Sequence, residues 1–232
     1  MDFAQQLVNG VQIGSVYALV AIGYTMVYGI AKMINFAHGD IIMVGSYVAL
    51  LFFQSSGLPV WGVIAATAAV SAVQGVTIER LAYKPLRGGS RMSALITTIG
   101  VSLMLQNGFL LIFGSSPKPF PNHFTGEGFT LGGVTVSRLT AITLVVTVVL
   151  MVLLTLFVNR TRVGKAMRAV SEDQGAAQLM GINIDTSISI TFAIGSALAA
   201  VAAVLYSSTY PLINPYMGSM LGLRAFIAAV IG

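Results

Sequence analysis

The sequence predicts an all-α protein, a polytopic bundle of transmembrane helices forming one domain. Three observations carry that expectation. Of 232 residues, 56% are hydrophobic and only 8% are charged, against roughly 25% charged in soluble domains. The charges are bunched, and the apolar stretches between them reach the length of about 18 residues at which a helix crosses a bilayer. Those stretches are rich in Ala, Leu, Val and Gly; spanning strands would instead be alternating segments of about ten residues.

Six complete spans are expected, at 3–30, 39–54, 59–83, 92–113, 139–158 and 187–206. The second is short, at roughly 16 residues against the ~20 of a straight span. Pro59 suits the first turn of the third. From Arg224 a seventh apolar segment begins and runs to Gly232. The expectation is therefore one incomplete transmembrane domain over 1–232, truncated at its C-terminus. No Lys or Arg precedes the first apolar run, and a cleavable leader wants a basic start, so the first helix is read as retained.

Basic residues orient the spans. Arg80, Lys84, Arg87 and Arg91 follow the third span; Arg160, Arg162, Lys165 and Arg168 follow the fifth. Two spans separate these clusters, so they share a side, and the positive-inside tendency makes that side cytoplasmic. The N-terminus and the 114–138 loop, with Pro117, Pro119 and Pro121, are then outside. A multi-pass protein of a bacterial-type cytoplasmic (inner) membrane follows, with the lipid bilayer as its first partner. The net charge of +5 reflects cytoplasmic loops and predicts no nucleic-acid partner.

Several chemistries are excluded. The absence of cysteine removes disulfides, thiolate metal sites and thiol nucleophiles. No phosphate loop of the form G-x-x-x-x-G-K-[ST] occurs, nor H-E-x-x-H, nor G-x-S-x-G. No catalytic residue, metal site or cofactor is assigned to this chain. Few ionisable residues are expected at mid-depth, which argues against a proton relay.

Uncharged polar residues recur inside the spans instead: Asn9, Gln12 and Tyr17 in the first, Gln106 and Asn107 in the fourth. An unpaired amide is costly in hydrocarbon, so these should make interhelical hydrogen bonds or line a hydrated passage. Gly10 and Gly14, Ala65 and Ala69, and Gly195 and Ala199 have the spacing at which helix backbones approach closely. The junction 33–40 holds Asn35, His38 and Asp40 beside the short second span. Asn35 could cap that helix, and Asp40 would suit its dipole. The junction reads either as a plain hairpin or as a discontinuous helix lining a cavity.

The loop 159–186 is the most informative. After Arg168 the run Ser171-Glu172-Asp173 predicts a helix start, a cap followed by acids. Ala176, Ala177, Leu179 and Met180 supply a small apolar face, and Gly181 a stop. A helix of about two turns is unstable unless it docks, either on lipid headgroups and the protein's own loops or in a partner's groove.

Three segments carry a family resemblance: the run from Asn9 through Gly14, Tyr17 and Gly23 to Gly29; Ile34-Asn-Phe-Ala-His-Gly-Asp40 with Met43, Gly45 and Tyr47; and Thr161 to Ala169 followed by Ala176-Ala-Gln-Leu-Met-Gly-Ile182. They resemble the first of the two permease types of branched-chain amino acid ABC importers, over most of the chain. The resemblance implies a second, homologous permease subunit, two cytoplasmic ATPase subunits carrying ATP and Mg, and an extracytoplasmic solute-binding protein. It makes 159–186 a coupling loop in which Arg168, Glu172, Asp173, Ala176, Ala177, Leu179 and Gly181 meet the ATPase. Gly175 stands where that loop usually has Glu. It leaves Asn9, Gln12, Tyr17, Asn35, His38, Gln106 and Asn107 as candidates for the solute path. Permeases for urea and short-chain amides are similar but often carry Met where Phe36 stands. A stand-alone secondary transporter or channel, and a membrane-embedded enzyme, are the other readings.

Overall fold

The computed structural model describes residues 3–87, 89–121, 123–124, 128–131 and 134–231. Parts of the 114–138 loop, and Gly232, lie outside them. Five helices are long and apolar enough to cross a membrane: α1 (Phe3–Ala31), α3 (Val60–Ile78, continued by a π-helical turn at Glu79–Tyr83 and a 3₁₀ turn at Lys84–Leu86), α4 (Arg91–Phe113), α5 (Arg138–Arg160) and α8 (Ile184–Thr209). Helix α2 (His38–Ser55) has 18 residues, most of them buried. Two short helices, α6 (Arg162–Glu172) and α7 (Gln174–Leu179), form the loop before α8, and α9 (Met217–Ile231) follows it. The seventh apolar helix thus starts seven residues before Arg224.

Helix α8 is the centre of the bundle, 72% buried over its most apolar window, against 11% for α4 and α5. Its small residues explain this. Gly195 packs on Gly23 of α1, Ser196 on Gly75 of α3, and Ala200 and Ala203 on Gly45 of α2. Small side chains allow such approach where lipid offers no hydrophobic driving force. Ser207 donates a hydrogen bond to Ser46 at 2.8 Å, tying α8 to α2 a second time. Gly195 therefore sits at a real helix crossing, and Ala199 is buried. Ala65 and Ala69 are exposed, and Gly10 and Gly14 have nothing within 4 Å of a Cβ position. The outer faces of α4 and α5 carry Leu103, Leu111, Val145, Val152 and Leu156, the lipid-facing surface a spanning bundle requires.

The two ends of the bundle are distinct. The basic clusters share one end, where Lys84 pairs with Asp185 at 2.8 Å. At the other end Gln5 bonds both the carbonyl and the amide of Thr135. There a hairpin pairs β2 (Phe129–Leu131) with β3 (Val134–Val136). Strand β1 (Lys118–Pro119) pairs with β4 (Leu212–Ile213), which joins α8 to α9. The mutual placement of the loops matches the expectation.

Helix α2 starts inside the bundle. Its first residue, His38, lies in edge contact with Tyr24, ring centroids 5.6 Å apart, and against Gly23. Gly23 is about 12 Å from the end of α1 at 1.5 Å per residue. The chain leaves α1 at the basic end, turns back and begins α2 at that depth. Helix α9 begins beside it: Gly218 and Gly222 pack on Gly39. Residues 32–37 and 210–216 thus enter the bundle from opposite ends, and the junction has the start at depth that the discontinuous-helix reading expects. Irregular backbone is tolerated at such depth only where protein or water surrounds it. Ionisable residues are consequently buried well inside the bundle (His38 and Asp40), contrary to expectation, because α2 starts there.

A Cβ on Gly39 would come within 2.8 Å of the Gly222 Cα, and nearer still to the Gly218 carbonyl oxygen. Overpacking of this kind costs about 1–3 kcal/mol. Gly39→Ala should therefore lower the thermal midpoint of the detergent-solubilised chain by roughly 2–4 °C per kcal/mol. Gly10→Ala, facing open space, should leave it unchanged or slightly raised.

Candidate functional site

Two sites emerge, one at the basic end and one deep in the bundle. The basic-end loop contains two helices instead of one. Thr161 caps α6, accepting from the Gly164 amide at 3.0 Å, and Gly164 lies against the Phe157 and Val158 backbone, where no side chain fits. Met167 and Val170 are buried, and that packing carries α6 through Ser171 to Glu172. Ser171 is therefore not the helix start; its hydroxyl donates to the Arg168 carbonyl at 2.7 Å. Asp173 is the cap of α7, accepting from the Ala176 amide at 3.0 Å. Gly181 ends the unit with φ +81°, a conformation that favours glycine.

Of the expected apolar face, only Ala177 turns inward. Ala176 is exposed, and Leu179 and Met180 are 91% and 82% exposed. Arg168 donates to Asn159 at 3.0 Å on the surface; Glu172 and Asp173 are also exposed. The tip of this loop is a pair of free apolar side chains on a polar base, and that base is anchored. Gln174 donates to the Ile30 carbonyl at the end of α1, at 3.3 Å.

A charge network links the loop to the helices. Asp185, in the first turn of α8, pairs with Lys84 and with Arg87. Arg87 also pairs with Glu79, which is fully buried, and Ser189 donates to the other Glu79 oxygen at 2.6 Å. Glu79 opens the π-helical turn that ends at Tyr83. An open groove of about 580 Å³ runs beside it, lined by Arg80, Lys84, Asp185 and Ser189 among others. Sequence reasoning used Arg87 only for orientation and missed Glu79, Asp185 and Ser189. An acid closing an apolar span eight residues before a cation was the available signal.

The deep site surrounds the start of α2. Asn35 does not cap that helix: Ala37 occupies the cap position with no side-chain bond. Asn35 instead accepts from the Tyr83 hydroxyl at 2.7 Å, buried. Its Nδ2, His38 Nε2 and the Tyr24 hydroxyl are buried without hydrogen-bond partners among the described residues. Asp40 does lie in the first turn of α2. The Gln106 side-chain nitrogen lies 2.9 Å from Asp40 Oδ1, 3.0 Å from Ser219 Oγ and 3.1 Å from Ser102 Oγ, joining α2, α4 and α9. Gln12 joins three other helices, accepting from Thr140 at 2.6 Å and donating to Thr209 at 3.3 Å. Tyr17 meets Arg224 of α9, whose guanidinium lies 5.6 Å from its ring centroid and donates to its hydroxyl.

The structure thus brings Asn35, His38 and Gln106 to one region and Tyr17 to the α1–α9 seam. Asn9 is exposed, held by Gln5 at 3.4 Å. Asn107 is exposed on α4, bonded back to the Leu103 carbonyl at 2.8 Å; neither joins the deep site. Asp40, Tyr83, Ser219 and Arg224 were missed as site residues.

A polytopic bundle with polar groups enclosed at depth, discontinuous helices and an anchored loop at one end is the architecture of a transport permease. The chain matches the family described as branched-chain amino acid transport system / permease component over residues 6–232, and it belongs to that family. It is 47% identical to the high-affinity branched-chain amino acid transport system permease protein BraD of Pseudomonas aeruginosa, and 44% identical to LivH, of the same description, from Escherichia coli. Each alignment covers 99% of this chain and 79% of the relative. A probable branched-chain amino acid transport permease protein of Methanocaldococcus jannaschii is 30% identical, over 92% of this chain and 69% of the relative. No solved structure matches.

Removing one member of a buried ion pair costs about 3–5 kcal/mol. Arg87→Met strands Glu79 and should produce a loss of this size in the unfolding free energy of the purified chain. Glu79→Gln leaves Arg87 on Asp185 and should cost clearly less.

Proposed function

We propose that the chain is the pathway subunit of an ATP-driven importer for branched-chain or similar small amino acids. It would act beside a second homologous permease, two ATPase subunits and an extracytoplasmic binding protein. ATP and Mg would be bound by the ATPase subunits and no cofactor by this chain. The basic end faces the cytoplasm on this reading, and the N-terminus faces outside, in a cytoplasmic (inner) membrane.

One observation carries the coupling part of this reading. Leu179 and Met180 project from a short helix that is fixed at its base by Gln174 and continuous, through Asn183 and Asp185, with the central helix α8. A two-turn helix with an exposed apolar tip suits a partner's groove. Residues 1–232 have no phosphate loop, which fits a reading in which ATP is bound by another polypeptide. The amino-acid part rests on the names of its relatives.

From the loop a bonded route reaches the deep site: Asp185 to Arg87, Arg87 to Glu79, the π-helical turn to Tyr83, and Tyr83 to Asn35. Movement of the loop on ATP binding would be felt at the start of α2. Alternating access then follows from a bias on two arrangements of the spans.

Leu179→Asp should leave the melting of the isolated chain within about 0.5 kcal/mol, as for an exposed position. It should abolish co-purification of the ATPase subunits and ATP-dependent leucine uptake in proteoliposomes. Full uptake by the variant would sink the docking reading. Uptake by this chain alone, driven by an ion gradient, would make it a secondary transporter. Preference of the assembled importer for urea or a short-chain amide would move the substrate class.

A further inference from the structure

Arg224 stands in an unusual place. Its partner Tyr17 is the middle residue of the 29-residue α1, about 21 Å from either end at 1.5 Å per residue. The guanidinium is therefore held near mid-membrane, yet the side chain is exposed on the surface of this chain. It does not reach for an interface; it donates to the Tyr17 hydroxyl and lies over the Tyr17 ring. Among the described residues it has no carboxylate partner, since the ion pairs there join Lys84 and Arg87 to Glu79 and Asp185. A cation at this depth does not face lipid; such residues face a water-filled cavity or a partner that neutralises them.

The surroundings suit a passage. Gly10, Gly14 and Tyr17 follow one another on one face of α1, and both glycines open on empty space. Tyr206 and Tyr210, with rings 4.9 Å apart, are the other electrostatic neighbours of Arg224. Aromatic rings and small residues offer contact to aliphatic side chains, and the guanidinium offers a fork. Arginine carries five N–H donors and recognises carboxylates in pairs of parallel bonds.

We propose that Arg224, positioned by Tyr17, is the subsite that receives the α-carboxylate of the transported amino acid on its way through the membrane. The inference rests on the amino-acid reading given above. It explains how one pathway serves several branched side chains: the carboxylate is common to all of them, and the tyrosines and glycines make no demand on branching.

The test uses the assembled importer in proteoliposomes. Arg224→Gln should lower leucine uptake by about tenfold or more, the loss of a charge-assisted fork, and Arg224→Lys should retain more. Residues 1–232 contain no cysteine, so Arg224→Cys places a single thiol in this part of the subunit. That thiol should react with a water-soluble methanethiosulfonate. The cationic ethylammonium reagent should restore uptake and the anionic ethylsulfonate should not. Saturating leucine with the binding protein and ATP should slow the modification. A thiol that does not react, or that leucine does not protect, overturns the subsite even where assembly is impaired. Wild-type uptake of leucine with unimpaired Arg224→Gln also overturns it while leaving the amino-acid reading intact. A wild-type importer that carries no amino acid refutes that reading instead.

Discussion

The fold depends on how two helices can begin inside a bilayer. A helix start leaves unsatisfied amide groups, and hydrocarbon supplies no water for them. Helices α2 and α9 both start in the interior, side by side, and they do so where Gly39 meets Gly218 and Gly222. Three glycines bring two backbones close enough to exclude lipid from the junction. The positive helix ends then accumulate at one level, and the polar groups collected there follow from that. Asp40 occupies the first turn of α2, and Gln106 spans from it to Ser219 in the first turn of α9. The small-residue stripe of α8 closes the other side. A side chain larger than hydrogen at Gly39 would force the two starts apart.

This constraint also explains what the sequence reveals. The long helices were readable to within a few residues, because an uninterrupted apolar run has no other stable form in lipid. The depth of α2 was not, because it is set by contact between Gly39 and residues far along the chain. The run around Ser171 shows a local rule satisfied twice. Ser171 and Asp173 are both good caps, and only the burial of Met167 and Val170 extends α6 past the first. Glu79 drew no reading within the 59–83 span, whereas the π-helical turn places it wholly inside, against Arg87 and Ser189. Arg224 read as a charge at the start of an apolar segment; it became a mid-membrane residue once α9 was seen to begin at Met217.

Among the expected path residues, the distinction that matters is between satisfied and unsatisfied groups. Gln12 is bonded through both ends of its amide to α5 and α8, so it serves the bundle itself. Asn35 and His38 each keep a buried nitrogen without a partner among the described residues. An unpaired buried polar atom costs stability in the state that contains it. A water, a ligand or another conformation that paired these atoms would recover the loss.

The bonded route from the loop gives the start of α2 a mechanical connection. Coupling between distant sites requires an element with two arrangements that both ends can influence. The end of α3 has the features of one. The helix there widens into a π turn and then tightens into a 3₁₀ turn, the kind of irregularity that recurs at functional hinges. Glu79, the first residue of the π turn, is gripped by the charges next to the loop between α5 and α8, and Tyr83, its last, holds Asn35 at the deep site. Rewinding this segment to regular α-helix would rotate Tyr83 relative to Glu79, so both grips could not be kept unchanged. The loop between α5 and α8 and the junction at the start of α2 are therefore joined through the one stretch of α3 whose winding is irregular.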